Sequence, residues 1–292
     1  MPESTRKLLS TGHGLLEGPI WHPQYGLCVA DADRGGVWSL SERGLDLVRV
    51  AHRRGIGGMA LHACGDVIVS GRNLALRSLA DPEAPARSLM EPDPARDLVA
   101  FNDLTTDARG CVYAGTVPFK SMHDVPQESP PKGMLHFIDL KGRISVVASG
   151  IRLTNGVGLS PDGARLYCCD SVPRVVNAYD VAADGSLGPA EALIAGADGM
   201  PDGLAVSTDG DIWVAQVHAG LVIRYRANGR ERERFSFDEP FVTSLCFGGA
   251  DLRDLYVVTG PANSARGGCV YRLRVDAAGV PRAPARIPMP DA

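Results

Sequence analysis

One hairpin phrase, repeated along the chain, restricts the possible folds more than any other feature. Gly156-Val157-Gly158-Leu159 leads through the turn Ser160-Pro161-Asp162-Gly163 into Arg165-Leu166-Tyr167-Cys168-Cys169-Asp170, and then into Val175-Val176-Asn177-Ala178-Tyr179-Asp180. An Asp-Gly pair between two apolar runs is a hairpin signal, because such a turn needs a positive φ. The same order of runs returns at Leu204-Ala205-Val206 with Asp209-Gly210, and at Leu104-Thr105-Thr106 with Arg109-Gly110. It returns again at Pro19-Ile20-Trp21 with Gly26, at Ser244-Leu245-Cys246-Phe247 with Asp251, and more weakly at Met59-Ala60-Leu61 with Gly65. The six copies recur at about 40 to 50 residues, the period of propeller blades. A small twisted sheet cannot bury both faces alone, so the copies must pack radially. A β-sandwich or β-helix does not call for the same phrase six times. No stretch carries the three-four apolar spacing of a long amphipathic helix.

These signals predict one all-β domain over residues 1–292, a six-bladed β-propeller with four-stranded antiparallel blades around a central channel. The Lys7-Leu8-Leu9 run is placed to add an outer strand to the last blade and so close the ring. One segment, 118–132, interrupts the third copy with four prolines, and a loop that long inside a blade reads as a candidate lid.

Composition removes several functions. Thirty basic residues against thirty-four acidic give a net charge of −4 with no basic stripe, which argues against nucleic acid. No run of 18 apolar residues is present, so no membrane span is expected. The start, Met1 to Ser10, is polar and lacks the apolar core of a secretory signal, which points to the cytoplasm. The seven cysteines match neither a zinc ribbon nor a disulfide scaffold. Most sit in apolar strand runs as small hydrophobes, and of the adjacent pair Cys168-Cys169 only one is expected to face the core. No nucleophile elbow or dinucleotide-binding glycine motif occurs.

In a propeller the first strand of each blade lines the channel. Asn102, Asn155 and Asp202 each precede their turn glycine by eight residues, and Glu17 precedes Gly26 by nine. The corresponding place in the second copy is Gly57, and in the sixth it lies near Ser244. Taken singly, an Asn-Gly or Asp-Gly merely satisfies local backbone groups. Matched placement in four copies, with Asp103 beside them, makes a convergent all-oxygen set. Such a set suits Ca²⁺, Mg²⁺ or Mn²⁺. Without a cation, Glu17 and Asp202 would repel each other.

The segments Leu16-Glu17-Gly18-Pro19-Ile20-Trp21, Phe101-Asn102-Asp103, Leu153-Thr154-Asn155-Gly156 and Pro201-Asp202-Gly203 resemble, in order and spacing, the senescence-marker-protein/gluconolactonase/luciferin-regenerating-enzyme family. The resemblance spans about Leu15 to Leu273. It implies a six-bladed propeller holding one divalent cation, with Ca²⁺ first and Mn²⁺, Zn²⁺, Mg²⁺ or Fe²⁺ as alternatives. It implies that Glu17, Asn155 and Asp202 are the metal ligands, that Asn102 lies near the metal and contacts substrate, and that Asp202 is also the catalytic acid/base. Sugar-lactonase members often carry Arg at the place of Ala100, and have an acid after the Gly-Thr matched by Gly115-Thr116, where this chain continues Val117-Pro118-Phe119-Lys120.

The expected activity is therefore hydrolysis of a small lactone less hydroxylated than a sugar lactone, by a monomer or weak homodimer. Asp103, Arg72, Phe119, His123 and His218 are further candidates for substrate contact. The alternatives are a strictosidine-synthase-like propeller with non-hydrolytic chemistry and a non-catalytic ligand-binding or scaffolding propeller. The former does not depend on a metal, and the latter has no need of channel carboxylates.

Overall fold

The computed structural model describes residues 6–96, 98–118 and 132–289. Strand β1 (Lys7–His13) comes first. The first blade is β2 (Leu16–His22), β3 (Gly26–Asp31), β4 (Val37–Ser41) and β5 (Gly44–Val50). The second is β6 (Met59–Leu61), β7 (Val67–Val69), β8 (Leu74–Arg77) and β9 (Arg87–Met90). The third is β10 (Ala100–Thr106), β11 (Val112–Val117), β12 (Gly133–Ile138) and β13 (Ile144–Ile151), and the fourth is β14 (Thr154–Leu159), β15 (Arg165–Asp170), β16 (Val175–Asp180) and β17 (Glu191–Ala195). The fifth is β18 (Met200–Val206), β19 (Ile212–Val217), β20 (Leu221–Tyr225) and β21 (Glu231–Ser236). The sixth has β22 (Val242–Gly248), β23 (Asp254–Thr259) and β24 (Gly268–Arg274), and takes β1 as its outer strand.

The result is a six-bladed β-propeller of four-stranded antiparallel sheets. The closing strand falls where the Lys7-Leu8-Leu9 run predicts, with Lys7 opposite Arg272 and Leu8 opposite Tyr271. Among the described residues no helix is long and apolar enough to cross a membrane.

The hairpin turns show why the phrase repeats. Gly163 and Gly210 take φ of 70° and 85°, and each donates its N–H to the residue three before it, Ser160 or Ser207. Only the glycine is left-handed, so the turn is a type I turn followed by a glycine bulge. Asp162 and Asp209 accept the hydroxyls of Ser160 and Ser207 across it, each at 2.6 Å.

Each blade packs on a neighbour with both faces, which is why its strands read as continuous apolar runs. Cys168 packs with Tyr113, Phe137 and Leu166, whereas Cys169 packs with Val176, Leu204 and Val214. Both cysteines are buried, correcting the expectation that only one faces a core: a blade has a core on either side. Burial pushes both thiols up, away from a redox role. The described structure contains no disulfide, and Cys64 alone among the cysteines is exposed.

After β24 the chain crosses the lower mouth of the channel, the end at which the inner strands finish. Val280 donates to Val206 O, Ala285 to Leu61 O and Arg286 to Gly110 O, which ties this strap to blades five, two and three. Above it lies a cavity of about 210 Å³ bordered by Trp21, Met59, Phe247, Leu252 and Arg282.

Candidate functional site

The upper ends of the inner strands depart from regular β geometry at the polar positions. Pairing slips by one residue between Glu17 and Ile20, Phe101 and Leu104, Thr154 and Val157, Pro201 and Leu204, and Val242 and Ser244. A bulge re-aims side chains and bends its strand, and here it falls on or beside Glu17, Asn102, Asn155 and Asp202. In the sixth blade the matching place near Ser244 is Thr243, whose hydroxyl is spent on Leu16 O at 2.6 Å. In the second blade, Gly57 and Gly58 precede the inner strand and donate their N–H groups to Ser70 Oγ at 3.2 and 2.8 Å.

The strands approach closely at this level. A Cβ on Gly58 would lie 2.8 Å from Asp103 Cα, and one on Gly57 would collide with Asn102 Oδ1. The gap in the polar ring at the second blade is thus filled by the Asn102 amide.

Three of the four polar positions are joined by contacts. Asn102 Nδ2 donates to Thr154 O at 2.8 Å and to Asn155 Oδ1 at 2.5 Å. Asn155 Nδ2 donates to Ser171 Oγ at 2.8 Å, and Ser171 Oγ donates to Pro201 O at 2.6 Å, on the residue before Asp202. Asn102 has therefore committed both amide hydrogens and keeps only its oxygen for anything else.

The carboxylates meet through their fields. Burial pushes Glu17 well above the ordinary carboxylate range, and the charges of Asp202 and Asp103 push it further. Asp202, 8% exposed, is raised by burial and then by Asp103. Burial raises Asp103 to about 7, with Arg282 acting in the opposite direction from the strap. Glu17 and Asp103 keep a partial opening to the channel, but both lie deep in the protein's mass, where desolvation dominates.

Among the described residues no three side chains of His, Cys, Asp or Glu gather closely enough to hold a metal unaided. A cation here would need the amide oxygens as well as the acids. The donor chemistry fits a hard divalent ion: mutually repelling buried carboxylates beside an amide whose N–H₂ is turned away toward Ser171.

The remaining sequence candidates divide. Arg72 is exposed, shortly after the second strand of its blade. His218 is exposed at φ 70° on the β19–β20 turn, edge-on to Phe241 at 5.1 Å, with no bond to Asp202. Phe119, His123 and nearly all of the candidate lid 118–132 lie outside the described residues. Ser171, Ser70 and Arg282 escaped sequence reasoning. The offset pattern follows inner strands, whereas Ser171 and Ser70 belong to second-strand ends and Arg282 to a segment without strand periodicity.

The chain is 29% identical to the pentonolactonase XacC of Haloferax volcanii, over 94% of this chain and 96% of the relative. It is 28% identical to a 6-deoxy-6-sulfogluconolactonase of Pseudomonas putida, over 96% and 97%. A luciferin-regenerating enzyme superposes with a TM-score of 0.81 at 22% identity, covering 97% of this chain and 99% of that one. A calcium-binding regucalcin from Agrobacterium tumefaciens gives 0.78 at 21% identity, over 96% of each chain. The family model for the SMP-30/gluconolactonase/LRE-like region matches residues 15–261, and the chain belongs to that family.

Proposed function

We propose that this protein hydrolyses a small lactone in the upper channel, with Glu17, Asn155 and Asp202 holding one divalent cation. The observation that carries the reading is the convergence of buried, repelling acids with an amide fixed by its neighbours. The names of the two lactonase relatives support the reaction class, and the calcium-binding title of the regucalcin structure supports Ca²⁺. When bound, such an ion polarises a carbonyl and lowers the pKa of water.

The chain's own part is positional and basic. Asp202, in its ionised form, takes a proton from water as the water oxygen adds to the lactone carbonyl carbon. The ring C–O bond then breaks, and the proton passes to the departing alkoxide, leaving a hydroxy acid. The raised affinity of Asp202 for protons means that this base is lost early as pH falls. Asn102 offers its remaining oxygen to a substrate hydroxyl, and Asp103 sets the negative field beneath it.

Substrate polarity is the finer question. Ala100, at the start of β10, supplies no hydrogen-bonding side chain, which supports a less hydroxylated lactone. The names of both lactonase relatives denote hydroxylated substrates instead. Values of kcat/KM for gluconolactone against alkyl- and aryl-substituted γ- and δ-lactones, with and without Ca²⁺, Mn²⁺, Zn²⁺ and Fe²⁺, test both points. Ion-independent turnover would remove the cation from the reading, and best turnover of gluconolactone would remove the inference from Ala100.

A further inference from the structure

We infer that Ser171 is a positioning residue that, together with Asn102, fixes which atom of the Asn155 amide is offered to the channel. The inference rests on the proposed role of Asn155 as a cation ligand.

An amide side chain has two nearly equivalent orientations, so something must choose between them. Here both ends of a short relay do so. At one end, Thr154 O can only accept, so Asn102 must present its N–H₂ there; the atom of Asn155 facing that N–H₂ must then be Oδ1. At the other end, Pro201 O can only accept, so the single hydroxyl hydrogen of Ser171 goes to it. Ser171 Oγ is left as an acceptor, and the Asn155 atom facing it must be Nδ2. Two carbonyls on different blades thus impose the same orientation. Asn155 Oδ1 has one lone pair on Asn102 and one remaining for a cation.

Ser171 is 1% exposed, directly after β15, and its hydroxyl joins blade four to the residue before Asp202. Removing it would leave the Asn155 N–H₂ and Pro201 O without partners and would leave the amide orientation held from the Asn102 end alone. Groups that orient a metal ligand typically cost about 10- to 100-fold in metal affinity when removed.

The test is calorimetric titration of Ca²⁺ into chelator-stripped full-length protein. Ser171→Ala is expected to weaken binding by about 10- to 100-fold, and Asn155→Ala by at least as much. Asn155→Asp supplies the decisive background: a carboxylate has no amide orientation to lose, so adding Ser171→Ala to it should cost less than about threefold. An equal loss in both backgrounds would mean that Ser171 acts through the fold alone, overturning the inference. Wild-type affinity in Ser171→Ala, with affinity lost in Asn155→Ala, would also overturn it while leaving the cation reading intact. Wild-type affinity in Asn155→Ala would instead sink the cation reading beneath it. If Ser171→Ala fails to fold, hydrogen exchange of the Asn155 side-chain amide in the wild-type protein takes its place. Protection of its hydrogens supports the relay, and free exchange overturns it.

Discussion

The two ends of the channel are built from the same six inner strands, yet they have opposite chemistry. The upper end carries Glu17, Asn102, Asp103, Asn155 and Asp202 on bulged backbone, while the lower end is bordered by Trp21, Met59, Phe247 and Leu252 above a strap. The difference arises within a few residues. A bulge shifts side-chain alternation by one position, so a strand can offer a polar group above it and resume apolar packing below it. Polar convergence and packing are thereby separated along each strand instead of being assigned to different blades.

Four measurements can break or sharpen that separation. Asp202→Asn should lower lactone turnover by about 10²- to 10⁴-fold, because the amide cannot take a proton at neutral pH. The metal-free melting temperature at neutral pH should not fall, and relief of the repulsion among the acids should raise it. A variant that unfolds, or one with near wild-type kcat, would place Asp202 with the packing residues.

Phe247→Ala is the counterpart at the lower end. Phe247 is buried and meets Trp213 edge-on at 5.6 Å. Its truncation should destabilise the fold by about 3–5 kcal/mol in denaturant titration. Turnover per folded molecule should be preserved, and a collapse of kcat in folded protein would show that the ends are coupled.

Ca²⁺ should stabilise only through the upper end. At a free concentration about 100 times its Kd, a ligand specific to the folded state adds about 2.7 kcal/mol. The rise in melting temperature should disappear in Asp202→Ala and persist in Phe247→Ala. Persistence in Asp202→Ala would move the ion elsewhere.

The smallest effect concerns pH. Glu17, Asp103 and Asp202 all bind protons more tightly in the folded chain than ordinary carboxylates do. Their contribution to metal-free stability is fully present below the unfolded-state carboxylate range and is lost as pH rises through the folded values, about 7 for Asp103. The melting temperature in chelator should therefore fall between about pH 5 and pH 8, while the shift produced by Ca²⁺ should grow, because binding displaces protons. A flat chelator profile would mean that these acids are not the repelling set described.

The architecture was legible because its signals are local and repeated. Turn glycines such as Gly163 and Gly210 recur with the same apolar flanks, and Lys7-Leu8-Leu9 marks the closing strand. The polar ring was legible for the same reason, since Asn102, Asn155 and Asp202 keep one offset. What failed to show was relational. That the sixth-blade place near Ser244 falls on Thr243 is fixed by a register slip that no single residue announces. Ser171 matters through a carbonyl on the next blade, and Arg282 through a strap whose pattern is irregular. Arg72 and His218 are both exposed, and His218 lies edge-on to Phe241.

The pairing of β1 with β24 has a consequence for biosynthesis. During translation the first strand emerges early and must wait for its partner until the last blade has left the ribosome. In that interval the nascent ring has an open seam, with strand edges able to recruit another chain. The seam joins the segments most distant in sequence, so its closure carries the largest search cost in the molecule.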